Sequence, residues 1–198
     1  MSSMLPSEIW ERFVSGDHSS FQGLFKGYYH GLYGYGLKLC RDPELVEDAI
    51  QNLFITIWER RDELAHITSP NVYLYVSLRR NIFKAEKQKT RLRQVQKDAQ
   101  SEFEIYFGVE ELIIKDESRE EQVETLQQAL NQLSNKQKEV LYLHYYNGMS
   151  YGEIEEILSI NRQSVRNHMY RAMETLRSVL DIDVMRLVIS ILISFLAF

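Results

Sequence analysis

Apolar positions recur at three- and four-residue spacing along most of the chain, a pattern that predicts helices and no sheet. A short helix is expected over Leu5 to Gly16. Asp17 or Ser19 then caps a second helix carrying Phe21, Leu24, Phe25, Tyr28 and Tyr29 into Leu32, Tyr33, Leu37 and Leu39. Asp42-Pro43 pairs an N-cap with a proline at the first helical position, where its missing N–H costs nothing. The helix that follows buries Leu45, Val46, Ala49, Ile50, Leu53, Phe54, Ile57 and Trp58. Ser69-Pro70 repeats the start signal.

Periodicity weakens over Ala99 to Glu124 and returns from Val123, with Leu126, Leu130 and Leu133 ending at Ser134. Ser134 with Gln137 has capping-box spacing, and the helix it opens stops at Asn147-Gly148. Ser150 with Glu153 repeats the box ahead of an Ile154, Ile157, Leu158 stripe. After a break at Ser159–Asn161, Val165, Met169, Met173 and Leu176 mark a second helix. That helix opens with Arg162, Gln163, Arg166 and Asn167, side chains that hydrogen-bond base edges and phosphates well. Ser150–Leu176 therefore reads as a helix-turn-helix whose second helix meets DNA. The expected fold is all-α: two helical domains at 5–97 and 122–181, joined by an acidic linker at 98–121. The second is a helix-turn-helix, winged-helix-like domain, with an apolar tail at 182–198.

The net charge of −5 argues against a nucleic-acid partner until charge is mapped along the chain. Val76 to Lys97 carries eight cations against Glu86, a local +7, and Asp98 to Glu124 carries ten acids against Lys115 and Arg119, a local −8. Adjoining blocks of this kind fit a nucleic-acid surface followed by an acidic linker, or two solvated faces that pair with each other. The single cysteine, Cys40, excludes an intrachain disulfide and fits a reducing interior, where it packs as a thiol.

The N-terminus lacks the basic region and apolar run of a signal peptide. The uncharged run Leu187–Phe198 would span only roughly 18 Å as a helix, against roughly 30 Å of bilayer hydrocarbon. It is expected to pack on its own domain or meet a partner. No glycine-rich phosphate loop, Cys/His metal spacing or nucleophile–base pair is present, so an enzyme, a cofactor, a bound metal and a small-molecule substrate are not expected.

A helix-turn-helix says little about role by itself. Three further stretches narrow it. Leu45–Trp58 reads LVEDAIQNLFITIW, Val72–Arg93 reads VYLYVSLRRNIFKAEKQKTRLR, and Leu126–Leu180 carries LYLHYYNGMSYGEIEEIL and RAMETLRSVL. These resemble, in order, the second conserved region of bacterial sigma factors, its basic aromatic-bearing element, and the fourth region. The chain resembles an extracytoplasmic-function (ECF) sigma factor, the minimal type that keeps these two domains and the linker. The resemblance covers most of residues 20–180.

The resemblance implies a transcription factor that brings core RNA polymerase to promoter DNA and helps open it, in the cytoplasm. Spacing alone reads Asp48, Gln51 and Asn52 as a solvated face; the resemblance makes them the site that docks on polymerase, through its β′ and β subunits. Opening DNA requires trapping a displaced strand, for which basic residues track phosphates and rings stack on bases. Arg79, Arg80, Asn81, Lys84 and Lys87 with Tyr75 are expected to do this for the minus-ten element. Tyr73, Val76 and Phe83 read equally as core. The Thr68–Asn71 loop, through Ser69 and Asn71, would receive a flipped base. Arg162, Gln163, Arg166, Asn167, His168 and Arg171 would meet the minus-thirty-five element, and Lys136 and Lys138 could add phosphate contacts. An anti-sigma factor is a further implied partner. The acidic linker would thread polymerase and, without it, cover basic surfaces.

The chain departs from the family pattern at Asn52, where an acid is usual, and at Ala85, where an acid is common. It also departs at Glu155 (usually small), Ser159 (usually glycine) and His168 (often arginine). The competing reading is a polymerase-independent helix-turn-helix regulator with an N-terminal helical sensor domain, binding duplex sites as a symmetric dimer.

Overall fold

The computed structural model describes residues 6–93, residue 125 and residues 127–179, and these are helical or turn throughout. The linker at 98–121 and the apolar tail Leu187–Phe198 lie outside the described residues. The chain divides into two compact units, Met1–Ser101 and Glu102–Phe198.

The first unit holds α1 (Pro6–Val14), α2 (His18–Cys40), α3 (Pro43–Glu59), a 3₁₀ turn (Arg61–Leu64) and α4 (Pro70–Arg93). Asp17 caps α2 by accepting from the Ser20 N–H, and Asp42 caps α3 by accepting from the Leu45 N–H at 3.1 Å. Asp42 does double duty, because its other oxygen takes the Lys89 ammonium at 2.6 Å and so ties the basic end of α4 to the start of α3.

Helices α2, α3 and α4 pack mutually around Leu32, Tyr35, Val46, Ile50, Leu74, Leu78 and Ile82, all fully buried. Gly36 lies at their junction: a Cβ there would stand 2.6 Å from a Val46 methyl and 3.3 Å from the Ile82 Cδ1, so glycine leaves room for these side chains to pack against α2.

Aromatic rings close one side of this core. Phe21 lies 4.9 Å from Trp58, and Phe25 lies 4.9 Å from Phe54 and 5.3 Å from Tyr29, centroid to centroid. As expected, Phe54 and Trp58 hold α3 to its own domain. Cys40 is a half-buried thiol close to the carbonyl of Gly36, and burial pushes its pKa up, as for a packed thiol rather than a nucleophile.

In the second unit a helical turn at 127–131 precedes α5 (Asn135–Leu141), a π turn (Tyr142–Tyr146), α6 (Tyr151–Leu158) and α7 (Arg162–Val179). Both capping boxes form, at Ser134–Gln137 and Ser150–Glu153, and Asn161 caps α7 by accepting from the Ser164 N–H at 2.8 Å. The helix expected to run from Ser134 to Asn147 widens into the π turn over its last five residues, where His144 bonds the Met149 carbonyl at 2.7 Å. That bond fixes the loop feeding α6. Ser159 ends α6 in the left-handed region, at φ 52°. Among the described residues the core includes Leu130, Leu133, Val140, Leu143, Met149, Ile154, Ile157, Leu158, Val165, Met169, Ala172 and Leu176. Ile160, in the turn between α6 and α7, is only half-buried.

Candidate nucleic-acid and polymerase interface

Position on α3 follows from its two neighbours. Its buried residues are Leu45, Val46, Ala49, Ile50, Leu53, Phe54 and Ile57, of which Leu45 and Ala49 line a groove shared with α4. Asp48, Gln51 and Asn52 are left exposed, together with Ile55, which is 55% exposed and was not anticipated. An open groove of about 560 Å³ runs between α3 and α4. Its α3 wall includes Asp48, Asn52 and Thr56, and its α4 wall includes Asn81, Lys84 and Gln88. It thus brings two docking candidates beside two minus-ten candidates. Ala85 also lines it, and the acids that line the groove, Glu44 and Asp48, come from the α3 side.

Along α4, Arg80, Lys84 and Lys87 are exposed, while Arg79 and Asn81 are half-buried. The Arg79 guanidinium lies over the Phe83 ring, 4.6 Å from its centroid, and Phe83 is on the surface rather than in the core. Ser69 and Asn71 sit half-buried at the start of α4, with the Ser69 carbonyl accepting from the Tyr73 N–H. Asn71 is roughly 15 Å along the helix from Asn81, at 1.5 Å per residue, so the expected base-receiving loop and the groove are separate features.

Tyr75 requires correction. It is 3% exposed and its ring lies 5.4 Å from that of Tyr35, inside the core. At about 100° per residue it points roughly 140° away from Arg80. Tyr73, seven residues before Arg80, stands nearly in line with Arg80, Lys84 and Lys87 and is half-exposed, with its ring edge near Trp10. Tyr73, rather than Tyr75, is the tyrosine in line with these cations, as its two-turn spacing from Arg80 indicates.

On α7 the core stripe is Val165, Met169, Ala172 and Leu176, and Arg162, Gln163, Arg166, Asn167 and Arg171 are exposed. Gln163 donates to Asn167 at 3.1 Å, which sets both side chains along one edge. Tyr170, 66% exposed among them, was missed by sequence reasoning although its spacing from Arg166 and Asn167 places it on their face. His168 is half-buried at the margin of that face, and burial first, then Lys136 and Arg171, lower its pKa. Lys138 is buried, 8% exposed, and so is no surface cation for phosphate; Lys136 stays half-exposed beside the buried Glu139.

Among the described residues no group of three or more His, Cys, Asp or Glu side chains could hold a metal, and no helix is long and apolar enough to cross a membrane. The chain thus presents two helical units, one with a basic ridge beside a polar groove and one with an exposed cationic helix, and the family matches give its class as transcription initiation. Residues 24–92 match Sigma-70 region 2, and residues 124–176 match Sigma-70, region 4. The ECF RNA polymerase sigma factor SigK of Mycobacterium tuberculosis is 23% identical over 178 residues, covering 88% of this chain and 93% of SigK. SigL of the same species is 25% identical over 158 residues, covering 76% and 82%.

The fold is shared with CnrH, solved in complex with the cytosolic domain of CnrY (TM-score 0.57, 18% identity, 88% of this chain and 96% of that one). It is also shared with the sigma factor RpoE of Bartonella quintana, solved with the anti-sigma factor NepR (TM-score 0.56, 19% identity, 82% and 98%). The chain belongs to the ECF group of the RNA polymerase sigma factors. It directs core polymerase to promoters and assists their opening, as this family does.

Proposed function

We propose that this sigma factor divides its work among three surfaces. The exposed side of α3, with Asp48, Gln51 and Asn52 around Ile55, docks on core polymerase. The α4 ridge of Arg80, Lys84 and Lys87, with Tyr73, Arg79 and Asn81, holds the opened minus-ten strand, and Ser69 and Asn71 meet its upstream end. On α7, Arg162, Gln163, Arg166, Asn167 and Arg171 read the minus-thirty-five element, His168 and Lys136 flanking them. Residues 5–97 and 122–181 act as the two functional domains, with 98–121 linking them inside polymerase. The protein works in the cytoplasm without enzymatic activity of its own. By analogy with the Bartonella RpoE, solved with the anti-sigma factor NepR, an anti-sigma factor is a further partner.

The observation that carries this reading is the groove between α3 and α4, where Asp48 and Asn52 face Asn81 and Lys84. A polymerase segment seated on α3 and a DNA strand tracked along α4 would be neighbours there, which couples docking to opening. The groove walls are polar and its cations are on the α4 side, as a strand-holding ridge requires.

Runoff transcription with purified core polymerase on a genomic promoter library tests it. Asp48→Ala with Gln51→Ala is expected to abolish co-elution with core and all transcripts. Arg80→Ala with Lys84→Ala is expected to leave co-elution intact while permanganate reactivity of the opened strand is lost. Wild-type protein that yields no transcript and does not co-elute would refute the reading.

A further inference from the structure

One indole touches both ends of the segment that leads into α4. Trp10, on α1, is 3% exposed, and its Nε1–H donates to the Leu64 carbonyl at 3.4 Å. The same carbonyl accepts from the Ile67 N–H at 3.0 Å, which closes the chain just past the 3₁₀ turn. A carbonyl oxygen has two lone pairs, so it can take both bonds. At the other end the Trp10 ring meets that of Tyr73 at 61°, with centroids 6.1 Å apart, the edge-to-face arrangement that ring quadrupoles favour. Leu64 and Tyr73 are nine residues apart. Fully extended, that stretch would reach roughly 30 Å, yet both of its ends stand on one side chain.

From Ala65 to Ser69 every residue is exposed or half-buried, so this stretch has little core of its own to hold it. His66 bonds the Glu63 carbonyl at 2.8 Å, which braces the turn locally but not against another helix. The Ser69 carbonyl accepts from the Tyr73 N–H, so the loop runs straight into the first turn of α4. Trp10, by contrast, is firmly seated. Its ring lies 5.0 Å from that of Phe13, which in turn lies 6.0 Å from Phe21 and 6.4 Å from Trp58. Helix α1 packs against α2, the 3₁₀ turn and α4 together. A buried indole N–H without an acceptor is costly, so the bond to Leu64 constrains both partners. Helix α1 also lies ahead of residues 24–92, the stretch that matches Sigma-70 region 2.

Resting on the assignment of Ser69 and Asn71 to the opened minus-ten strand, we propose that Trp10 is a positioning residue, which staples the Leu64–Tyr73 segment and so presets the loop that receives a base. Trp10 is buried and acts through Leu64 and Tyr73, not by meeting DNA. A loop that is ordered only when the base arrives loses binding free energy to that ordering, and a loop held beforehand does not. Backbone tracking by Arg80, Lys84 and Lys87, two turns and more beyond Tyr73, needs no such loop. The staple therefore governs recognition of the base more than grip on the strand.

The test uses holoenzyme assembled from the full chain and core polymerase. Two fluorescein-labelled single strands are compared, the minus-ten strand of a promoter recovered by runoff and the same bases scrambled. Trp10→Phe keeps a ring toward Tyr73 and drops the N–H donor. It is expected to lower affinity for the minus-ten strand about threefold to tenfold, the scale of one ordering cost, while co-elution with core and affinity for the scrambled strand stay as in wild type. A general structural defect would weaken both strands alike. That outcome, like unchanged affinity for both, overturns the proposal. Phe13→Leu loosens the same helix through Phe21 and Trp58 and, with folding checked by circular dichroism, should keep wild-type discrimination. Discrimination lost as far as in Trp10→Phe would assign the effect to α1 packing in general and overturn the staple. Ser69→Ala with Asn71→Ala tests the assignment beneath it. If that variant discriminates the strands as wild type does, the loop receives no base and the assignment falls together with the staple. If it loses discrimination while Trp10→Phe retains it, the assignment stands and the staple is wrong.

Discussion

Helices α4 and α7 are both assigned to DNA, yet they sit in their domains very differently. Helix α7 rests on its unit through one stripe, Val165, Met169, Ala172 and Leu176, and most of its remaining circumference is open. Helix α4 packs against both α2 and α3, so Val72, Leu74, Tyr75, Leu78 and Ile82 are all buried. The same residue types therefore mean different things on the two helices. An arginine or tyrosine on α7 is free to meet a ligand unless it falls on that stripe. On α4 it is first a packing element, and the most exposed basic strip runs through Arg80, Lys84 and Lys87 with Tyr73 in line.

The sharpest way to break that contrast is a pair of tyrosine truncations on α4. Tyr75→Ala removes a ring from the core against Tyr35 and should destabilise the first unit by about 3–5 kcal/mol, the usual cost of deleting a buried aromatic. Any loss of transcription by this variant should follow its unfolding curve. Tyr73→Ala is expected to cost less stability, since its ring is half-exposed, and to lose strand opening while the protein remains folded. Circular dichroism melting and permanganate footprinting separate the two. Equal melting temperatures for both variants would mean that α4 is not divided in this way.

This contrast also accounts for what was legible in the sequence. Helix starts were readable because caps are local: Asp42-Pro43, Ser134 with Gln137, Ser150 with Glu153 and Asn161 each form the bonds their spacing implies. The α7 face was largely readable because a helix with one buried stripe obeys simple periodicity, although Tyr170 was passed over as an aromatic rather than placed by its angle. Tyr75 was misplaced because a helix with two neighbours buries more than one stripe, and composition alone cannot tell which tyrosine faces out. The π turn at Tyr142–Tyr146 and the groove between α3 and α4 were not readable at all. The first goes with a side-chain bond of His144 to the Met149 carbonyl that apolar spacing does not signal, and the second depends on the meeting of two exposed faces.

Smaller effects are expected at the two ends of α6, and of opposite sign. Ser150→Ala removes the side chain that accepts from the Glu153 N–H and should cost the second unit about 1 kcal/mol. Ser159 holds a left-handed conformation that an L residue pays for in Cβ crowding. Ser159→Gly should stabilise by somewhat under about 1 kcal/mol, because relief of that strain is partly offset by the greater entropy of glycine in the unfolded chain. The Ser159 N–H bonds to the Glu156 carbonyl, and the following Ile160 N–H to that of Glu155, survive both changes because they are made by backbone. Urea unfolding of the two variants checks the pair. A Ser159→Gly protein less stable than its parent would show that the serine side chain holds the turn by a contact worth more than the strain.

The smallest expected effect separates the two units by acid. The cap of α2 is a carboxylate: Asp17 accepts from the hydroxyls of Ser20 and Ser19 and from the Ser20 N–H, with Arg12 at 3.2 Å. The Ser20 hydroxyl, then that of Ser19, contribute most to lowering its pKa from 3.8 to about 2. At Ser134, Ser150 and Asn161 the capping atom in the second unit is uncharged. A carboxylate with a depressed folded-state pKa contributes stability that is present above its unfolded-state value and is lost as pH falls. The Asp17 contribution should thus be constant from neutral pH to just above 3.8 and disappear as pH drops through about 2. Asp17→Asn keeps a cap acceptor but has nothing to titrate, so its stability relative to the parent should rise across that window and be flat above it. Melting temperatures of the two proteins, measured in steps through the window, decide the matter. A constant difference between them at every pH would mean that the hydroxyls of Ser19 and Ser20 hold the protonated carboxyl as well as they hold the carboxylate, and that the acid sensitivity of the first unit resides elsewhere.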